Sequence, residues 1–159
     1  PAFREACYED FKIVPIAIEG RDFEQALKHS ISLPDSTHYQ QVATDLVAMM
    51  HIYDVRDYDF GYSAYTCNAL DPLYRTPCIK GLVSGFTVVG IPDKEYERAL
   101  AFCSSDYIVE EDSVECYERL QWEAINHYSP TVFDEICQEV PNIYYSYCND
   151  PESFSSTLR

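Results

Sequence analysis

Apolar residues along this chain recur at helical spacing. Between residues 39 and 53 the positions Tyr39, Val42, Ala43, Leu46, Met49, Met50 and Tyr53 fall on one face of an α-helix, separated by threes and fours. From Val114 to Ile125 the same template takes Tyr117, Leu120 and, less cleanly, Ala124. Start signals sit ahead of such runs. Thr37-x-x-Gln40 and Asp112-x-x-Glu115 read as capping boxes, in which the first side chain accepts from the N3 amide and the N3 side chain reaches back. Ser129-Pro130 reads as an N-cap followed by proline at N1, where a missing amide proton costs nothing. Helices are therefore predicted near residues 3–13, 21–32, 38–53, 77–88, 94–104, 113–127 and 130–139. Strand signal is weak. The β-branched stretch Phe86-Thr87-Val88-Val89-Gly90 is assigned to a helix end. Pro15, Pro34, Pro72, Pro77, Pro92, Pro130, Pro141 and Pro151 fall mainly at predicted boundaries, as short helices joined by tight corners require. The fold class is all-α.

The seven cysteines sharpen this picture: Cys7, Cys67, Cys78, Cys103, Cys116, Cys137 and Cys148. Cys67 and Cys78, like Cys137 and Cys148, enclose ten residues, and Cys103 and Cys116 enclose twelve. Close pairs of this kind suit disulfides that staple helical hairpins, each worth roughly 2–3 kcal/mol from loop closure. An internal repeat supports the pairing. Asp22-Phe23-Glu24-Gln25-Ala26-Leu27 follows Cys7 at nearly the distance at which Glu95-Tyr96-Glu97-Arg98-Ala99-Leu100 follows Cys78. A long amphipathic stretch comes next in each half, and each half closes on a ten-residue cysteine pair. The expected architecture is two tandem repeat units of about 70 residues, built of disulfide-stapled helical hairpins. Unit one spans 1–77, unit two spans 78–147, and 148–159 is the start of a third unit or a tail. Ser30 stands in unit one where Cys103 stands in unit two. Cys7 is left odd, either free or paired outside this chain.

Length and composition agree with a folded chain. With 159 residues, 47% apolar and 24% charged, the sequence can bury a core and is unlike a disordered one. The net charge is −16, which repels phosphate backbones and anionic lipid surfaces and leaves proteins or self-assembly as the expected partners. The longest apolar run, Leu46 to Met50, is far too short for a membrane span. The opening Pro1-Ala2-Phe3-Arg4-Glu5 is neither a signal peptide nor an initiator methionine, so the chain is expected to be processed or cut from something longer. No Asn-x-Ser/Thr acceptor is present; the disulfides alone argue for an extracellular or other oxidising compartment.

Catalytic and metal chemistry finds little purchase. A zinc site wants cysteines or histidines two to four positions apart, which these spacings do not offer. The twin cysteine motif of the mitochondrial intermembrane space wants nine intervening residues in both pairs and also fails. Ser84, within Gly81-Leu82-Val83-Ser84-Gly85, is one position out of register for a nucleophile elbow and reads as a small contact between helices. His29, His38, His51 and His127 are scattered. Asp54-x-x-Asp57-x-Asp59-x-Gly61 gathers carboxylates without the register or the closing glutamate of a calcium loop and reads as a solvated turn. Glu110-Glu111-Asp112 reads as charge offsetting a helix dipole. No metal, no cofactor and no catalytic residue is assigned, and the chain is not expected to be an enzyme.

Tyrosine is the residue type in excess. Fourteen are present, clustered as Tyr53, Tyr58, Tyr62 and Tyr65 and again as Tyr144, Tyr145 and Tyr147, both beside ten-residue cysteine pairs. A large apolar ring with a hydroxyl that stays wet suits an interface, and these seven are the expected interface residues. The expected function is that of a structural or interaction segment of a larger extracellular or luminal assembly, a scaffold or adhesive helical-repeat protein. The alternative is a small secreted helical binding protein for a hydrophobic ligand, although the two cysteines three residues apart that insect carriers show are absent.

Overall fold

In the computed structural model, residues 22–54 and 60–149 are described, Asp54 in its backbone only. Among them the chain forms seven α-helices and no strand: α1 (Phe23–Ile31), α2 (Thr37–Asp54), α3 (Phe60–Asn68), α4 (Pro72–Val88), α5 (Tyr96–Cys103), α6 (Glu110–His127) and α7 (Pro130–Glu139), with a 3-10 turn at Asn142–Tyr144. The helix predicted near 3–13 and the odd Cys7 lie outside the described residues. So do the repeat unit's opening segment and the tail beyond 149.

The central element is α4, which packs against α2, α3, α5 and α6. It is buried nearly all round: Cys78, Ile79, Gly81, Leu82, Val83, Ser84, Gly85, Phe86 and Thr87 are all enclosed. A helix enclosed on every side has no polar face, so its sequence carries no amphipathic rhythm. On one flank α2 lies so close that glycine is required. A Cβ on Gly81 would stand 2.1 Å from the backbone oxygen of Asp45, and one on Gly85 would stand 2.6 Å from the Cβ of Ile52. On the other flank an aromatic cluster joins three helices: Phe60 of α3, Phe86 of α4 and Phe102 of α5, with ring centroids 4.9 to 6.0 Å apart in edge and tilted contacts. The outer helix α1 covers α2, stacking Phe23 on His51 at 3.9 Å, and α7 covers α6.

Local chemistry sets the ends. Asp22 caps α1, its Oδ1 accepting from the Gln25 amide at 3.0 Å. Asp71 caps α4 in the same way at Leu73, with Pro72 at the first position. Ser129 caps α7 ahead of Pro130, as the sequence predicts. The two capping boxes do not form. Thr37 already lies inside α2, whose first carbonyl partner is Ser36, and the Gln40 side chain instead donates to the Leu33 carbonyl and accepts from the Tyr74 hydroxyl. Likewise α6 starts at Glu110, three residues earlier than predicted, which places Asp112 in its first turn. There Asp112 is buried and accepts from Arg75 Nε at 2.5 Å and Thr76 Oγ1 at 2.7 Å, while Arg75 also reaches Glu111. An interhelical ion pair outcompetes the local box.

Pro77 lies within α4 rather than at its start. Proline leaves the carbonyl four residues earlier without its amide. That carbonyl, of Leu73, accepts instead from Gln41 Nε2 on α2 at 2.9 Å. The helix runs through the proline because a neighbour supplies the missing donor.

Disulfides join Cys67 to Cys78, Cys103 to Cys116 and Cys137 to Cys148. The first ties the end of α3 to α4, the second the end of α5 to α6, and the third ties α7 to the turn after Tyr144. Three intramolecular disulfides fit an oxidising environment. Ser30 of α1 is fully buried and bonds to Thr44 Oγ1 of α2 at 3.0 Å. The C-terminal turn is held by one buried amide: Gln121 Oε1 accepts from the Tyr147 and Cys148 amides at 3.0 and 3.1 Å, while its Nε2 donates to the Tyr144 carbonyl at 2.7 Å.

Candidate functional site

Two places in the described residues gather side chains beyond what packing alone demands. The first lies where α2, α4 and α6 meet. Because Gly81 and Gly85 bring α4 against α2, Ser84 between them turns toward α6, where Arg119 and Glu123 stand one turn apart. Ser84 Oγ donates to Glu123 Oε1 at 2.6 Å and accepts from Arg119 Nε at 2.6 Å; Arg119 also pairs with Glu123 at 3.0 Å and reaches Asp45 Oδ2 of α2 at 3.4 Å. His127 Nε2 meets the other oxygen of Glu123 at 3.2 Å, and the Arg119 guanidinium lies 4.8 Å over the Trp122 ring. Ser84 is a small buried contact between helices, as the sequence predicts, and it also anchors an ion-pair network. Its proton goes to the Glu123 carboxylate, and the His127 imidazole sits on the far side of that carboxylate, so no histidine faces the serine.

The network is incomplete at one atom. Asp45 Oδ1 is buried with no hydrogen-bond partner among the described residues. Burial, opposed by Arg119, pushes the Asp45 carboxyl up to about 6, and Glu123 pushes the same way. Because the folded-state pKa lies above the unfolded value, the proton favours the folded state; that contribution is full below about pH 4 and is lost as pH rises through about 6. Asp45→Asn is therefore expected to stabilise the protein at pH 7 by about 1–2 kcal/mol. The bound is about 3 kcal/mol from the shift, lowered by partial exposure and by the weakened Arg119 contact. Urea midpoints at pH 4 and pH 7 check it, and an Asn effect equal at both would refute the assignment.

The second place is a surface cleft of about 540 Å³ between α3 and the turn linking α5 to α6, lined by Gly61, Tyr62, Tyr65, Asn68, Asp106, Tyr107 and Val109. Tyr65 is 75% exposed, Tyr107 51% and Tyr62 48%. Both walls are braced. Cys67 fixes α3 to α4, Cys103 fixes the start of the turn to α6, and Asn68 Nδ2 donates to the Tyr107 carbonyl across the cleft at 2.9 Å.

The tyrosines singled out in the sequence divide between surface and interior. Tyr62 and Tyr65 line the cleft; Tyr53 is also exposed, on α2, and its hydroxyl is pushed up by burial and by Glu123. Tyr58 lies outside the described residues. In the second cluster Tyr144 stacks on Tyr117 at 4.8 Å, Tyr145 packs on the core, and Tyr147 is half-buried with its amide on Gln121. Tyr107 was not anticipated, since it stands alone in the sequence and only the fold brings it to Tyr62 and Tyr65.

The carboxylates of Asp54, Asp57 and Asp59 lie outside the described residues. Gly61, which closes that segment, is the second residue of α3. Among the described residues no group of three His, Cys, Asp or Glu side chains is placed to hold a metal ion, and no helix is long and apolar enough to cross a membrane. Comparison with protein-family models, with curated proteins and with solved structures yields no match to this chain.

Proposed function

We propose that the chain is a disulfide-braced helical interaction module, a structural segment of an extracellular or luminal assembly that engages protein partners through the tyrosine surface of α3 and the α5–α6 turn. The observation that carries this is the cleft: three exposed tyrosine rings converge on one opening whose two walls are each anchored by a disulfide. Tyrosine offers much contact area for little side-chain entropy, and a braced wall loses little more on binding.

Two tandem units, 1–77 and 78–147, are part of the same proposal. Supporting it, α1, α2 and α3 have 9, 18 and 9 residues, and α5, α6 and α7 have 8, 18 and 10. The Cys67–Cys78 and Cys137–Cys148 bridges share a sequence separation of 11. In addition, the buried Ser30–Thr44 hydrogen bond joins α1 to α2 where Cys103–Cys116 joins α5 to α6.

Native mass spectrometry of the non-reduced protein from its own source tests the reading. The expected result is complexes heavier than one chain that dissociate in a Tyr65→Ser/Tyr107→Ser variant. Single chains carrying a retained lipid mass would refute it and favour the carrier.

A further inference from the structure

The cleft has a chemical bias as well as a shape, and on this basis, resting on the interaction reading above, we infer that its occupant is a basic segment of a partner protein whose arginine or lysine side chain enters between Tyr62, Tyr65 and Tyr107. The faces of aromatic rings carry negative potential and attract cations, most strongly where water is partly excluded. The wall also supplies a full charge. Asp106 is exposed, and its carboxylate makes no hydrogen bond or ion pair among the described residues. It is adjacent in sequence to Tyr107, so ring and carboxylate are presented together.

Among the described residues the lining contains no lysine, arginine or histidine. Arg75 of α4 is already engaged by Asp112 and Glu111. Asn68, in the same wall, holds a buried Oδ1 with no donor among the described residues. Arginine brings five N–H donors and a planar face, matching both a carboxylate and a ring. Glu110 is exposed at the start of α6, beyond Val109, and extends the acidic rim.

Size and long-range field agree. A volume of about 540 Å³ exceeds one side chain and falls in the ordinary range of binding clefts, and its open form suits a chain lying across it with one residue inserted. A net charge of −16 draws basic segments toward the surface and repels acidic ones, while the cleft decides where they settle.

The test uses the oxidised full chain at physiological salt and a fluorescein-labelled peptide carrying three arginines, with a citrulline twin of the same length. Fluorescence anisotropy reads the affinity. The arginine peptide is expected to bind at least tenfold more tightly than the citrulline twin. Tyr65→Leu, Tyr107→Leu and Asp106→Asn are each expected to weaken it roughly five- to tenfold, whereas Glu135→Gln, an exposed acid on α7 outside the cleft, changes it less than twofold. The substituted tyrosines are exposed, so circular dichroism and disulfide mapping should be unchanged. If Glu135→Gln weakened binding as much as Asp106→Asn, the attraction would belong to the net charge and the inference falls. If both twins bound equally and both needed the tyrosines, the cation would be refuted while the tyrosine surface stood. Loss of the surface itself would show instead in native complexes indifferent to Tyr65 and Tyr107.

Discussion

Reducing the three disulfides is expected to remove most of the protein's stability at 25 °C. The closed loops have sequence separations of 11, 13 and 11 and do not overlap along the chain, so each restricts the unfolded state independently. Loop-closure entropy assigns each about 3 kcal/mol, about 9 kcal/mol together, against a total stability of about 5–15 kcal/mol for an ordinary domain. Two of the elements the bridges hold, α3 and α7, have little else. Buried residues of α3 are Ser63, Ala64, Thr66 and Cys67, and those of α7 are Phe133 and Ile136. Neither helix has the buried apolar area to remain docked alone. Far-UV circular dichroism during heating, with and without reductant, reads the effect. A melting temperature lowered by about 20 °C or more is the expectation. Unchanged melting would mean that helix packing, not the bridges, carries the fold.

Gly81→Ala is expected to cost about 2–4 kcal/mol, opposite in sign to the effect of that substitution on an exposed helix. In an isolated helix alanine is favoured over glycine by about 1 kcal/mol. Here the new Cβ would lie 2.1 Å from the Asp45 carbonyl oxygen and 2.8 Å from the Ala48 Cβ. A carbonyl within a hydrogen-bonded helix cannot rotate away, so α2 and α4 must separate. Separation loosens the contacts of Ala48, Ile52, Leu82 and Phe86, all fully buried. It also draws Asp45 from Arg119, already 3.4 Å apart. Urea unfolding gives the cost directly, and a midpoint equal to or above that of the parent would disprove the close approach.

Much of the fold was legible where physics is local. Amphipathic runs marked α2 and α6, Ser129-Pro130 marked the start of α7, and the short cysteine spacings marked hairpin bridges, because each signal depends on neighbours in sequence. What escaped depends on neighbours in space. The α3 sequence contains glycine, tyrosine, threonine and asparagine, poor helix formers, and it holds helical form with the help of the Cys67 bridge and the packing of Phe60 on Phe86. The first turn of α4 was hidden by Pro77, whose cost is met from another helix. At the site, Tyr62 and Tyr65 stood out as a cluster, but Tyr107 and Asp106 join them only through the fold. Tyr144 shows the converse: a tyrosine in a cluster that the fold turns inward onto Tyr117.

The bond from Gln41 to the Leu73 carbonyl links the histories of two positions that are distant in sequence. A chain with proline at 77 needs a donor from α2, and glutamine at 41 reaches far enough to be that donor. With any other residue at 77 the backbone amide returns, and position 41 is released to vary. Descendants of this sequence should therefore lose the proline before the glutamine: the reverse order passes through an intermediate with an unpaired carbonyl.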